Sequence, residues 1–215
     1  QSINSKPIFC LRMSFVIIHK QRQFRKNFLT FLIIKFMLFN SSNDAASAIA
    51  FKIGGEMGGD GKNNREIFVK KMNEKAQLLH LYNTFFKNPT GLDISPSESG
   101  AFGTVVDIAK LFDYAVSKNK NLFNPTSLAT QEFISLDGKR YNSSNTNLFV
   151  PSFPHLLASK TGLTEFAGGN LAVLFEVGNS DPFIVVILGS SKEGRFYDAI
   201  NLANLSAKYS DLFYK

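Results

Sequence analysis

The pattern of apolar and polar positions predicts two successive helices in the first half of the chain. Asn43 or Asp44 can cap the first helix, which runs through Ile53 and ends at Gly54-Gly55. A second helix is predicted over about residues 65–79. Its apolar residues recur at helical intervals, at Phe68, Met72, Ala76 and Leu79. We interpret this apolar stripe as the face that packs in the core of the protein.

Two further helices are predicted downstream. Thr104-x-x-Asp107 has the sequence of a capping box and opens the third helix. Its interior face is predicted to consist of Val105, Ile108, Leu111, Phe112 and Ala115. A last amphipathic helix is predicted over about residues 195–212. One side of that helix carries Phe196, Ile200, Ala203 and Tyr209.

The second half of the chain shows β-strand patterns. Residues 132–136 and 140–141 flank Asp137-Gly138, which is typical of a type I′ hairpin. Residues 170–177 and 183–188 are rich in β-branched and apolar side chains and are predicted to be central antiparallel strands. Because helices come first and strands later, the pattern favours one domain of the α+β class, in which helices pack on an antiparallel sheet.

Residues 1–40 differ in composition from the rest of the chain. They hold seven of the 22 phenylalanines and seven of the 24 basic residues, but none of the 17 acidic residues. We therefore predict a boundary near Asn40, with an atypical basic and apolar segment at 1–40 and the main domain at 41–215. A reading-frame or gene-start error would also give this composition, since AT-rich DNA read out of frame yields Phe, Lys, Ile and Asn.

The apolar run at residues 28–39 favours a buried helix. It has only twelve residues with Lys35 near its centre, which is too short and too charged for a comfortable membrane span. A signal-anchor is the alternative, with Arg22, Arg25 and Lys26 as its positive flank. Membrane association through this segment is therefore left open.

Charge and cysteine content exclude several functions. The formal net charge of +7 belongs to residues 1–40, because the other 17 basic residues are matched by all 17 acidic ones. No motif with base-reading geometry accompanies it, so we expect no nucleic-acid partner. The single Cys10 excludes a disulfide framework, and His19, His80 and His155 lack metal-ligand spacing. We expect no metal and no other cofactor.

Two short motifs carry the candidate catalytic chemistry: Ser41-Ser42-Asn43 at a helix entry, and Lys160-Thr161-Gly162 ahead of the first long strand. Each alone is typical of a helix cap or of a turn into a strand, and Ser-x-Asn recurs at Ser143. Together they favour acyl transfer. Ser41 is predicted to relay a proton to the leaving amine and Asn43 to hold the substrate amide, while Lys160 stabilises a buried substrate carboxylate or assists Ser41.

Three adjacent residues are predicted to bind the substrate. Thr161 adds a hydroxyl donor, and Gly162 leaves room for a peptide to lie along the strand edge. The backbone N–H of Leu163 would supply half of an oxyanion hole.

Five segments, in this order, resemble serine-type D-alanyl-D-alanine carboxypeptidases, the low-molecular-weight penicillin-binding proteins of peptidase family S11. They are residues 40–46 (NSSNDAA), 68–76 (FVKKMNEKA), 88–93 (NPTGLD), 159–162 (SKTG) and 187–190 (ILGS). The resemblance runs from about Phe31 to the C-terminus. It implies a fold like that of DD-peptidases and β-lactamases, with a helical subdomain, here incomplete at the N-terminus.

The resemblance also implies a reaction and a location. A serine is acylated by the penultimate D-alanine of a peptidoglycan stem peptide, the terminal D-alanine leaves, and water hydrolyses the acyl-enzyme. β-Lactam antibiotics would be ligands that trap this serine. The substrate places such proteins in the bacterial cell envelope, outside the cytoplasmic membrane.

The chain departs from the family pattern at the nucleophile. That serine belongs to a Ser-x-x-Lys motif on a helix well upstream of the Ser-x-Asn motif. The only Ser-x-x-Lys here is at residues 117–120, after the NPTGLD segment, where we predict a solvated helix end. No nucleophile is found, so we expect a truncated or frame-disrupted domain with impaired trimming activity. A second departure is His80, which stands where the family would place a glycine in a left-handed helix cap.

Two other functions are weighed against this one. A non-catalytic module that binds peptidoglycan peptides or penicillin would keep the strand-edge site and lack turnover. A class A β-lactamase is less favoured, because no acidic deacylation loop stands between the two motifs.

Overall fold

The computed structural model describes residues 6–7, 28–178 and 182–213. Cys10 and the basic residues Arg22, Arg25 and Lys26 therefore lie outside the described residues. The helices are α1 (Phe28–Asn40), α2 (Asn43–Glu56), α3 (Asn64–Leu78), α4 (Val105–Lys118), α5 (Lys120–Phe123) and α6 (Gly194–Phe213). The strands are β1 (Lys6–Pro7), β2 (Phe85–Phe86), β3 (Ala101–Gly103), β4 (Thr130–Ile134), β5 (Arg140–Ser144), β6 (Leu156–Thr164), β7 (Gly168–Phe175) and β8 (Phe183–Ser190). Two 3₁₀ turns cover Asn124–Ser127 and Val150–Ser152.

Helix α1 is the buried helix predicted at residues 28–39. Ile34, Met37 and Leu38 are almost completely buried and belong to the same core cluster as Ala46 and Ile49 of α2. The boundary predicted near Asn40 thus lies between two helices that share one core, and the two-part division of the chain stays a prediction.

Helix α2 extends past its predicted end. It continues through Gly54 and Gly55 to Glu56, because these glycines let the start of α3 approach closely. A Cβ atom added at Gly54 would lie 1.8 Å from the main-chain oxygen of Asn64. The Asn64 side chain is buried and donates to the main-chain oxygen of Phe51 at 3.0 Å, which ties the two helices together.

Helices α3 and α4 follow the predictions closely. At the end of α3, His80 has φ = +57°, which confirms the left-handed cap expected there. At the start of α4, the Thr104 side chain accepts a hydrogen bond from the N–H of Asp107. Val105 is wrong as an interior residue, since it is 48% exposed, whereas the other four predicted apolar positions of α4 are buried.

The main sheet consists of β6, β7 and β8 in that order, and all its pairings are antiparallel. The two long strands predicted at residues 170–177 and 183–188 are β7 and β8. Strand β7 is central and buried on both faces, as predicted. The prediction of a central position is wrong for β8, which lies at one side of this sheet in the described part of the chain. In the described part of the chain, no strand pairs with the other edge of β6.

The sheet separates two cores. On one face, Leu171, Val173 and Phe175 pack with Phe196 and Ala203 of α6. On the other face, β7 and the neighbouring strands pack against helices α1 to α5. Tyr209 was expected on the buried side of α6, but its side chain is 42% exposed. The α+β class is therefore confirmed, with the sheet between α6 and the other helices.

The hairpin of β4 and β5 has a different turn from the predicted type I′. Only Gly138 has a positive φ in this loop (+80°), and its N–H bonds to the main-chain oxygen of Ser135. A type I′ turn needs two residues with positive φ, so this is a longer loop ended by a left-handed glycine.

None of the helices in the described ranges is long and apolar enough to cross a membrane.

Candidate active site

The Ser41-Ser42-Asn43 motif occupies the break between α1 and α2. Ser42 is the helix cap in place of the predicted Asn43 or Asp44, and its Oγ accepts from the N–H of Ala45 at 3.1 Å. Ser41 has φ = +57°, a left-handed conformation that costs a non-glycine residue about 1–2 kcal/mol. Strain of this kind concentrates at functional sites. The cap leaves Asn43 as the first residue of α2.

The Lys160-Thr161-Gly162 motif lies inside β6, and the prediction that it precedes the first long strand is wrong. Lys160 is 1% exposed. Its Nζ donates to Oγ of Ser41 and, at 2.8 Å, to the main-chain oxygen of Thr161. Two motifs that are 119 positions apart in sequence therefore meet through a buried ammonium group.

Strand β6 is fixed just before this motif by the 3₁₀ turn at Asn124–Ser127. The N–H of Ser159 donates to Oγ1 of Thr126 at 3.1 Å, and Oγ of Ser159 donates to the main-chain oxygen of Thr126 at 2.8 Å. In an antiparallel strand, the main-chain groups of every second residue point to the same edge. Since Ser159 N–H points away from β7, those of Thr161 and Leu163 face the same unpaired edge.

A chain of hydroxyl groups continues from Thr161. Its Oγ1 donates to Oγ1 of Thr146 at 2.6 Å, and Thr146 donates to the main-chain oxygen of Phe39 at 3.4 Å. Sequence reasoning did not find Thr146. In the sequence it is one threonine between Asn145 and Asn147 in a polar loop, which does not indicate that it contacts β6.

Arg195 supports Gly162 from the other side of the sheet. Its Nη1 donates to the main-chain oxygen of Gly162 at 2.5 Å, and its side chain is 6% exposed. Burial lowers the pKa of Arg195. The sequence placed this residue only at the start of a helix and gave no sign of its contact with β6.

The far end of β6 is held by Asp93, the last residue of the NPTGLD segment. Its carboxylate accepts from Oγ1 of Thr164 and from the N–H of Phe166, each at 3.0 Å. Asn88 shapes the preceding turn by accepting from the N–H of Gly91 at 2.6 Å. The segment therefore delivers a carboxylate to the end of the strand that carries the candidate site.

The Ser-x-x-Lys match at residues 117–120 lies on the surface. Ser117 and Lys120 are both exposed, and Ser117 Oγ donates to Asp113 one turn earlier in α4 at 3.3 Å. This confirms the predicted solvated helix end.

Within the described ranges, no group of three or more His, Cys, Asp or Glu side chains could hold a metal ion.

The sequence matches known proteins over most of its length. The family model for D-alanyl-D-alanine carboxypeptidase, peptidase S11, matches residues 14–192. The D-alanyl-D-alanine carboxypeptidase DacF of Bacillus subtilis is 32% identical over 163 residues, which are 76% of this chain and 39% of DacF. A D-alanyl-D-alanine endopeptidase of Haemophilus influenzae is 30% identical over 66% of this chain and 44% of its own length. The chain thus spans less than half the length of both relatives.

Solved structures share the fold. Penicillin-binding protein D2 of Listeria monocytogenes, in its ampicillin-bound form, superposes with a TM-score of 0.72 at 21% identity, over 94% of this chain and 87% of that protein. A D-alanyl-D-alanine carboxypeptidase from Mycobacterium tuberculosis gives a TM-score of 0.72 at 18% identity, over 98% of this chain and 84% of that protein. The match to both supports the helix and sheet arrangement described above.

Proposed function

Because the chain belongs to the D-alanyl-D-alanine carboxypeptidase family, we propose that its site binds peptidoglycan stem peptides ending in D-Ala-D-Ala and belongs to a serine-type carboxypeptidase domain. The observation that carries this proposal is the contact between Lys160 and Ser41. It brings a hydroxyl, an ammonium and an unpaired strand edge together, which is what recognition of a peptide with a terminal carboxylate requires.

The proposed roles follow from where each group lies. The buried Lys160 ammonium stabilises the substrate carboxylate, to which Thr161 donates a hydrogen bond. The peptide adds to the open edge of β6, where Gly162 has no side chain and Leu163 N–H points outward. Asn43 holds the substrate amide, and Ser41, in contact with Lys160, relays a proton to the departing amine.

Cleavage by this chain is proposed to be impaired. An acyl-enzyme needs a nucleophilic serine, and the sequence has one Ser-x-x-Lys match, whose serine is exposed and bonded to Asp113. The residues of the site would then bind and orient the peptide with little turnover. The alternative is a module that binds peptide or penicillin without any catalysis, and the same surface position of Ser117 favours it.

Two measurements on the purified chain test the proposal. Calorimetric titration with N,N-diacetyl-L-lysyl-D-alanyl-D-alanine should show saturable binding that Lys160→Met abolishes. Lys62→Met, at an exposed lysine, is the matched control and should bind like the parent chain. A folded sample that binds no peptide would contradict the proposed site.

Incubation with benzylpenicillin followed by intact-mass measurement tests the missing nucleophile. The expected result is no covalent adduct, whereas a stoichiometric mass increase would contradict the impaired state. Slow release of free D-alanine from the peptide would favour the carboxypeptidase over the non-catalytic module, and its complete absence would favour the module.

The place of action and the other ligands follow from the same assignment. We propose a location in the bacterial cell envelope, where stem peptides are found. β-Lactams are proposed ligands, since the Listeria relative was solved with ampicillin and with cefotaxime bound. Membrane association through residues 1–40 stays a prediction.

A further inference from the structure

Thr146 lies within hydrogen-bond distance of the candidate carboxylate site, and neither motif includes it. Its hydroxyl accepts from Thr161 Oγ1 at 2.6 Å, which is a short hydroxyl contact. Its own proton is directed at the main-chain oxygen of Phe39, 3.4 Å away. That second bond is long for an O–H···O interaction, so little free energy is lost when it breaks.

The segment around Thr146 holds this hydroxyl in place. Asn145 is 6% exposed, and its Nδ2 donates to the main-chain oxygens of Thr126 at 3.0 Å and Leu128 at 2.8 Å. Asn147 is 2% exposed and its Oδ1 accepts from the N–H of Phe149 at 3.1 Å. The N–H of Asn147 also donates to Oδ1 of Asn145 at 2.8 Å. Two anchored asparagines thus fix the backbone on both sides of one half-exposed threonine.

A hydroxyl has one proton and can accept two hydrogen bonds, so the direction of this pair can reverse. As it stands, Thr161 gives its proton to Thr146 and has none to give to a ligand. When a carboxylate arrives and Thr161 turns its proton toward the anion, the bond between the two hydroxyls is kept only if Thr146 becomes the donor to Thr161. The long bond from Thr146 to Phe39 is the one that has to be released.

We infer that Thr146 is a positioning residue for carboxylate recognition, which acts by donating to Thr161 when Thr161 donates to the terminal carboxylate of a peptide. This inference rests on the proposed function of the Lys160 site and adds a residue to it. Hydrogen bonds in a chain polarise one another, so the Thr161 bond to the anion is stronger when Thr146 donates to it. The effect is specific for a charged acceptor, since bonds to charged groups are the stronger ones.

The test compares two peptides and three variants by calorimetric titration. The peptides are N,N-diacetyl-L-lysyl-D-alanyl-D-alanine and the same peptide with a C-terminal carboxamide. Thr146→Val keeps the shape and removes the hydroxyl, Thr146→Ser keeps the hydroxyl, and Thr130→Val changes an exposed threonine of β4 as a control.

We expect Thr146→Val to weaken binding of the carboxylate peptide about threefold, because the variant loses the strengthening of the Thr161 bond to the anion and not that bond itself. Binding of the carboxamide peptide should change less than twofold, and Thr146→Ser should restore binding. Thr130→Val should match the parent chain with both peptides.

The outcomes separate this inference from the function on which it rests. Equal weakening of both peptides by Thr146→Val would mean that Thr146 only supports the fold, and the inference would be wrong. Unchanged carboxylate binding in that variant would also overturn it while leaving the proposed function intact. If the parent chain binds neither peptide, the proposed function fails and the inference fails with it.

Discussion

The two motifs of the site are held in place in different ways. Ser41-Ser42-Asn43 is shaped by its immediate neighbours, through the cap from Ser42 to Ala45 and the left-handed turn at Ser41. Lys160-Thr161-Gly162 is shaped by distant segments. Its strand is bonded to Thr126 and to Arg195, each 33 positions away from its partner, and to Asp93, 71 positions from Thr164. The conformation of the first motif therefore depends on nearby residues, and that of the second depends on tertiary contacts.

The largest expected effect comes from the packing of α2, the helix that follows the Ser41 motif, against α3. Gly54→Val should destabilise the chain by about 3 kcal/mol or more, because an added Cβ would lie 1.8 Å from the Asn64 main-chain oxygen and the helices would have to separate. Urea unfolding monitored by circular dichroism measures this free energy.

Gly58→Ala serves as the control for that experiment. A Cβ at Gly58 meets no atom within 4 Å, so only its positive φ of +101° opposes the change. A loss of about 1 kcal/mol is expected from that backbone conformation. Equal losses of unfolding free energy at both glycines would show that the close contact between α2 and α3 is not what makes Gly54 important for stability.

The second effect concerns the distant anchors of β6. Asp93→Ala should cost about 2 kcal/mol, because Thr164 Oγ1 and Phe166 N–H both lose a charged acceptor. Asp93→Asn keeps one oxygen acceptor and should lose less. Faster hydrogen exchange at the Phe166 amide would locate the change at the end of β6, and unchanged exchange there would argue against Asp93 as an anchor.

A smaller effect is expected at the local anchor of the Ser41 half. Ser42→Ala removes the side chain that caps α2 and should cost about 1 kcal/mol of unfolding free energy. Ser42→Asn keeps a capping oxygen and should stay within a few tenths of a kcal/mol of the parent chain. If both variants lose the same amount, the cap does not stabilise this helix.

The smallest predicted change is a gain. His80→Gly should stabilise the chain by about 0.5–1 kcal/mol, since His80 has φ = +57° and glycine adopts that conformation without strain. The gain is reduced by the loss of the hydrogen bond between His80 Nδ1 and Tyr82 Oη, which is 2.6 Å long and exposed. Thermal unfolding of the two proteins measures the balance, and a loss of stability would mean that the exposed bond outweighs the strain.

The sequence predicted features that depend on nearby residues. The helix cap at Thr104, the left-handed His80 and the apolar stripe of α3 were all found where expected, because each is set within a few positions along the chain. The full capping box predicted there does not form, since the Asp107 carboxylate accepts from Asn83 and Thr84. The error at the end of α2 has the opposite origin, a contact with the next helix. Glycines at 54 and 55 ordinarily end a helix, and only the approach of Asn64 explains why α2 continues through them.

The sequence predicted the two motifs of the candidate site but not the residues that contact them. Ser41 and Lys160 were chosen from short patterns, and the fold brings them together. Arg195 and Thr146 could not be found in this way, because a helix start or a polar loop residue gives no indication of which strand it will contact. Pairings across 33 or 15 positions are decided by packing of whole elements, which the local pattern does not contain.

The glycine contact between α2 and α3 gives the site a mechanical dependence. Gly54 is thirteen positions from Ser41, so the two ends of α2 are about 20 Å apart. A rigid rod of that length, pivoted by only about 3° at one end, moves its other end by about 1 Å. Displacements of that size at reacting groups are enough to reduce rates a hundredfold. We therefore expect a side chain at position 54 to shift Ser41 relative to Lys160 at the opposite end of the helix.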